Sequence, residues 1–206
     1  MGASETSFPL DGIELEQALL GNLIGRRIVI LPSATSTNDT VLQLAGKGAE
    51  EGLVVFAEQQ TAGRGQRGHQ WESAAGQGLW FSILLRPNIE LAQSSRLTHW
   101  AAQGVAAVVT RELSVPATIK PPNDIYIDER KVAGVLVEMR AQPGLPHLVI
   151  AGIGLNVNQS AADFSPGLRS TATSLALATG RPVPRQNLAA ALLRELDRSY
   201  RDFFAP

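Results

Sequence analysis

Gly63-Arg64-Gly65-Gln66-Arg67-Gly68 matches G-x-G-x-x-G letter for letter and follows the apolar, β-branched run Leu53 to Glu58. A dinucleotide-binding turn is therefore the first thing to test, since that pattern seats a pyrophosphate on a helix N-terminus. The surrounding residues exclude it. His69 to Gly78 holds further turn formers and leads into another strand, where such a fold requires a helix. Arg64 and Arg67 occupy positions that should pack close to a sheet, and no acid-ended strand follows through a crossover helix. What remains is a glycine loop with two guanidiniums and Trp71 close behind. Its backbone N–H groups can turn toward an anion, and arginine can fork onto phosphate oxygens. Taken alone, the same residues read equally well as a solvated surface loop.

Working outward, the pattern predicts a mixed α and β chain. Ile13 to Leu20 reads as a short helix, Arg27 to Leu31 as a strand stopped by Pro32, and Ser36 or Thr37 as the N-cap of a helix ended by Gly46 and Gly48. Leu79 to Leu85 is a strand, and the Ala-rich run Ser95 to Leu113 a buried helix. Four short strands follow, Ala117 to Lys120, Ile125 to Ile127, Lys131 to Arg140 and His147 to Leu155. The connections Asp128 to Arg130 and Gln142 to Pro146 are too short for crossover helices, so these strands are antiparallel neighbours. A short helix is expected over Ser170 to Ala178. An amphipathic one runs from Asn187 to Phe204, with Leu188, Leu192, Leu196, Tyr200 and Phe203 on its apolar face. The fold class is α+β, with a mixed, mainly antiparallel sheet flanked by helices.

Composition sets the boundaries. With 206 residues, 44% of them hydrophobic and 18% charged, the chain can close a real core as a single domain over 1–206. The net charge of −1 supplies no global field for nucleic acid, so no nucleic-acid partner is expected. No run approaches the roughly 20 apolar residues of a membrane helix, and the start lacks a signal-peptide pattern, so no membrane partner is expected. The absence of cysteine removes thiol nucleophiles and Cys-ligated zinc, and it suits a cytoplasmic location. His69, His99 and His147 have no metal-ligand spacing. Fifteen of the 18 basic residues are Arg; the three lysines, Lys47, Lys120 and Lys131, are therefore worth weighing one by one for their compact ammonium.

Other segments join the glycine loop. Ser36-Thr37-Asn38 offers hydrogen-bonding side chains at a strand-to-helix junction, where capping is the plain alternative. In Lys120-Pro121-Pro122-Asn123-Asp124 the prolines should hold the lysine on an extended, non-helical exit. Lys131-Val132-Ala133-Gly134 and Gly152-Ile153-Gly154-Leu155-Asn156 place glycines inside apolar strands, where a missing side chain marks a bulge or admits a ligand.

Taken in order, Ser36 to Asn38, Glu58 to Gly68, Trp71, Lys120 to Tyr126, Lys131 to Glu138 and Gly152 to Asn156 resemble the catalytic domain of the biotin protein ligases, over about Ile28 to Asn158. The resemblance implies a fold like that of the class II aminoacyl-tRNA synthetases and biotin ligases. It implies formation of biotinyl-5′-AMP from biotin and ATP, with Mg2+ accompanying the nucleotide, and transfer to a lysine of a biotin carboxyl carrier protein. Such a site needs fixed cations and N–H donors rather than a nucleophile of its own, because two anions must meet.

Carried over residue by residue, the resemblance puts Lys120 between biotin's carboxylate and the α-phosphate, with Arg64 as the second catalytic cation. Ser36, Thr37, Asn38 and Gln60 would hydrogen-bond the ureido ring. Gly63, Arg64, Gly65 and Gln66 would wrap carboxylate and phosphates, and Gly134, Gly152 and Gly154 would leave room for the biotin rings. Arg67, His69, Trp71, Asn123, Lys131 and Asn156 are the nucleotide-binding set; for Trp71 ordinary packing is the alternative. The loop Gly63 to Trp71 is expected to be mobile without ligand and ordered over the adenylate. Three features depart from the family pattern. Pro121 stands where tryptophan is usual, Gln66 and His69 stand where basic residues are commoner, and no C-terminal β-barrel follows. No helix-turn-helix precedes the domain, so operator binding is not expected. A homodimer through the sheet edge is one arrangement the resemblance allows. A lipoate or octanoate transferase on the same scaffold, and a biotinyl-adenylate-binding protein without efficient transfer, are the rival functions.

Overall fold

The computed structural model describes residues 9–141 and 146–204. Among the described residues five α-helices are present: α1 (Gly12–Ala18), α2 (Thr37–Gly46), α3 (Ser94–Leu113), α4 (Leu175–Thr179) and α5 (Arg185–Phe204). The strands are β1 (Arg27–Leu31), β2 (Leu53–Ala57), β3 (Gly63–Arg64), β4 (Gln70–Trp71), β5 (Gly78–Leu85), β6 (Thr118–Lys120), β7 (Asp124–Ile127), β8 (Arg130–Arg140) and β9 (Leu148–Asn156). Seven of them form one sheet in the order β1-β2-β5-β9-β8-β7-β6. Among the described residues β1 and β2 are its one parallel pair. The α+β reading with a mainly antiparallel sheet is what the chain adopts, and the meander from β6 to β9 runs as its short connections require. The turn expected at Gln142 to Pro146 lies, apart from Pro146, outside the described residues.

Period-two alternation divides the sheet into two unlike faces. Phe56, Phe81, Ile83, Val135, Val149, Ala151, Ile153 and Leu155 point to one side and are buried with Leu97, Ala101, Val105 and Val108 of α3 and Leu188, Leu192 and Leu196 of α5. On the other side α2 covers one end of the sheet, where Val41 packs with Val55, Leu84 and Ile150. Beyond α2 that second face carries small residues, and the site forms there.

Three local readings need correction. Ser170 to Thr173 is not helical: Lys131 donates its N–H to Thr171 (2.8 Å) and accepts that of Thr173 (2.9 Å), so this stretch adds a bridge beside β8, and α4 starts only after Ser174 caps it. The glycine loop is a hairpin, because β3 pairs antiparallel with β4, Gly63 opposite Trp71 and Arg64 opposite Gln70. On α5, Phe203 faces solvent at 62% exposure, whereas Phe204, four residues after Tyr200, turns in against Trp100. One helical turn from Tyr200 reaches 204, so that residue continues the apolar stripe.

Candidate active site

The floor of the site follows from strand register. Gly134 of β8 lies opposite Gly154 of β9, which lies opposite Trp80 of β5. Two residues along, Leu136 faces Gly152 and Gly152 faces Ser82. All these residues share the face away from α3 and α5, so the three glycines make a shallow trough between Trp80 and Leu136. A β-carbon at Gly154 would come within 2.6 Å of the Trp71 indole, one at Gly134 within 3.0 Å of it, and one at Gly152 would strike the amide oxygen of Asn38. The glycines are thus required for side chains to cross the floor. The hollow above measures about 350 Å³, within the range of small-molecule sites.

One end of the trough is lined by hydroxyls and amides. Gln60 Oε1 accepts from the backbone N–H of Thr37 (2.9 Å) and from its hydroxyl (3.2 Å). That hydroxyl is 2.7 Å from the Ser82 hydroxyl, which donates to Asn38 Oδ1 at 2.6 Å. Asn38 then donates to Glu138 Oε2 at 2.6 Å. Ser36, Thr37 and Asn38 are all buried. Ser36 occupies the N-cap position of α2 but makes no side-chain capping bond, which leaves its hydroxyl for another partner.

The opposite end is cationic. Lys131 Nζ lies 2.7 Å from Asp124 Oδ1 and 5.4 Å from the centre of the Trp71 ring. Lys120 stands at the mouth, 5.2 Å from the ring centre of Tyr126. Pro121, Pro122 and Asn123 do not extend the chain as expected; they make the turn between β6 and β7, with a cis peptide bond between the prolines. Lys120 and Asp124 are therefore cross-strand partners, and both reach the hollow. Asn123 locks the turn by donating to the carbonyl of Val135 at 2.9 Å.

Ser36, Thr37, Asn38, Gln60, Arg64, Gly65, Gln66, Arg67, His69, Trp71, Lys120, Asn123, Lys131, Gly134, Gly152 and Gly154 all line this one hollow. Two residues of the expected set do not. Gly63 faces its hairpin partner Trp71, whose carbonyl a β-carbon there would meet at 2.6 Å. Asn156 is turned aside: it donates to the Thr173 carbonyl (3.0 Å) and accepts from Gln159 (3.0 Å) beneath the Ser170 to Thr173 segment. Arg64 reaches the hollow with its guanidinium already engaged, its two terminal nitrogens each 2.7 Å from a different oxygen of Asp39. That arginine holds the Asp39 carboxyl below the usual carboxylate range, through the hydrogen bond first and the charge attraction second.

Sequence reasoning missed Asp39, Ser82, Asp124 and Glu138 as members of the site. Ser82 had a signal, a lone hydroxyl inside Leu79-Trp80-Phe81-Ser82-Ile83-Leu84-Leu85. Glu138 had none, since its role depends on β8 passing beside α2. Among the described residues no group of three or more histidines or carboxylates is placed to hold a metal ion, and no helix is long and apolar enough to cross a membrane.

Comparison with known proteins agrees with this geometry. The model of the biotin/lipoate A/B protein ligase family matches residues 30–156. The bifunctional ligase/repressor BirA of Bacillus spizizenii is 37% identical over 190 residues, 92% of this chain and 58% of that protein. The biotin–[acetyl-CoA-carboxylase] ligase of Mycobacterium tuberculosis is 36% identical over 196 residues, 92% of this chain and 70% of that one. Among solved structures, the biotin protein ligase of Aquifex aeolicus in complex with biotin and ATP superposes with a TM-score of 0.75 at 29% identity, covering 86% of this chain and 72% of that chain. The chain spans less than two thirds of the Bacillus relative. The match of family model, long relatives and fold makes this chain a member of the biotin/lipoate A/B protein ligase family.

Proposed function

We propose that this chain activates biotin with ATP and transfers the biotinyl group to a lysine of a biotin carboxyl carrier protein. In the first step a carboxylate oxygen of biotin attacks the α-phosphorus, and pyrophosphate leaves. In the second the carrier amine attacks the acyl carbon, and AMP leaves with the bonding electron pair. The observation that carries this reading is the polarity of one trough: a hydroxyl and amide end at Thr37, Gln60 and Ser82, a glycine floor on which Trp71 rests, and a lysine end at Lys120 and Lys131. A ligand with a neutral donor–acceptor head, a thin ring body and an anionic tail has complementary features in that order.

Lys120 and Lys131 would neutralise the charge that builds where carboxylate and α-phosphate approach, in a site where excluding water strengthens the effect. Trp71, across Gly134 and Gly154, would form the wall between the ring system and the nucleotide, and Arg67 at the hairpin tip would meet phosphates. Magnesium would travel with the nucleotide. Asp124 is the one carboxylate among the described residues lining the hollow and is paired with Lys131, so the phosphates themselves would supply most of the oxygen ligands. The cysteine-free chain fits a cytoplasmic location, and a homodimer through a free sheet edge remains part of the proposal.

Calorimetry with biotin and with lipoate, each with and without a non-hydrolysable ATP analogue, tests the reading. Binding of biotin but not lipoate is expected, and tighter binding with nucleotide present. Preference for lipoate would move the chain to the acyl-transferase side of its family. Biotin-dependent pyrophosphate release without acylation of a carrier lysine would leave an adenylate-binding protein.

A further inference from the structure

We propose that Asp39 is a positioning residue: by gripping Arg64 it fastens the β3–β4 hairpin to the first turn of α2 and sets that hairpin over the polar end of the trough. The inference deepens the function proposed above and rests on it. A ribbon of two two-residue strands, not hydrogen-bonded into the main sheet, has little stability of its own and depends on its tethers. Below its base, Thr61 and Ala62 donate to Ala34 and Thr35. On its far strand Trp71 rests on the glycine floor. On its near strand the tether is the fork of Arg64 on Asp39, with Glu138 3.7 Å from the same guanidinium.

The guanidinium lies at the wrong end of the trough to act on phosphates beside the lysines. Its neighbour Glu138 is four residues beyond Gly134 on β8, a displacement of roughly 13 Å along an extended strand. Both of its terminal nitrogens are engaged by one carboxylate, a geometry that fixes orientation as well as charge. The grip also reaches the ligand end. Glu138, near Arg64, holds Asn38, which accepts from Ser82, whose hydroxyl meets Thr37, which binds Gln60. Asp39 sits two residues after Thr37 in the same helical turn. A hairpin freed from Asp39 would loosen the groups proposed to read the ureido ring, leaving the lysines in place.

The test uses the full chain and Asp39→Ala, Asp39→Glu, Arg64→Asp and the exchange Asp39→Arg with Arg64→Asp. Without ligand, the hairpin of Asp39→Ala should be cut by subtilisin about three- to fivefold faster than wild type, with Asp39→Glu close to wild type. With biotin and ATP, Asp39→Ala should raise KM for biotin about tenfold and move kcat less than threefold, and the exchange should recover most of that loss. Unchanged cleavage in Asp39→Ala overturns the proposal. So does an exchange variant as impaired as Arg64→Asp alone, which would place the guanidinium on the ligand. If wild type binds no biotin, the function proposed above fails, while the ligand-free cleavage still decides the role of Asp39.

Discussion

Lys131 and Lys120 differ in what holds them. Lys131 is fixed by Asp124 at 2.7 Å, stands beside Gly134 and Trp71, and has its backbone locked by Thr171 and Thr173. Lys120 is exposed at the mouth and rests on Tyr126. A fixed cation needs no reorganisation when charge develops, so it lowers the barrier more than a mobile one. Lys120→Ala and Lys131→Ala should each cut biotin-dependent pyrophosphate release by about 100-fold or more with the fold retained, and Lys131→Ala should be at least as severe. A Lys120→Ala enzyme with wild-type turnover would remove that residue from the reaction. For Asp39 the sign is also defined. Its carboxyl is depressed in the folded protein, so the contact with Arg64 is complete above about pH 4 and lost as pH falls through the depressed value. Ligand-free protection of the hairpin should therefore be flat from neutral pH to about 5 and fall in stronger acid.

The glycine floor belongs to strands, not to single residues. Gly134, Gly152 and Gly154 act together because β8 and β9 pair in a register that places two of them side by side and the third one step along the same face. A one-residue slip would send all of them to the α3 side. Gly154→Val should displace Trp71 and raise KM for biotin by about tenfold or more, while a thermal melt stays within a few degrees of wild type. The hairpin is the companion element. Biotin with ATP should slow its proteolysis, and equal cleavage with and without ligands would count against its ordering over the adenylate.

Across the molecule, one buried ion pair joins the site to the distant helix. Arg185 at the start of α5, 5% exposed, donates to Glu58 Oε2 at 2.6 Å and to the Gly78 carbonyl at 3.2 Å, while Glu58 Oε1 accepts from the backbone of Leu10. Glu58 lies two residues before Gln60, and Gly78 begins β5, so this pair braces both walls of the trough. Arg185→Met leaves that carboxylate without its cation and should cost about 3 kcal/mol in urea unfolding. Tyr200 makes a second tie, donating to Glu51 at 2.7 Å; burial and that carboxylate both push its phenol far above its ordinary range, so it stays a donor.

Helices, strands and the antiparallel meander were legible from residues alone, because apolar period, turn formers and short connections are local properties of Ile28 to Asn158. Most residues that line the hollow were named by the family resemblance, and the strand glycines Gly134, Gly152 and Gly154 also stand out where apolar side chains would otherwise be expected. Phe204 continues the apolar stripe because it lies one helical turn after Tyr200. The non-helical Ser170 to Thr173 was decided by its pairing with Lys131, far away in the chain, and the withdrawal of Asn156 by Thr173 and Gln159. The partners of Arg64 also come from far away in the chain, whereas Lys131 meets Asp124 across the neighbouring strands β7 and β8. Which carboxylate meets which cation depends on how α2, the hairpin and β8 converge, and side chains separated by 25 or more residues are brought within hydrogen-bond reach only when the sheet closes.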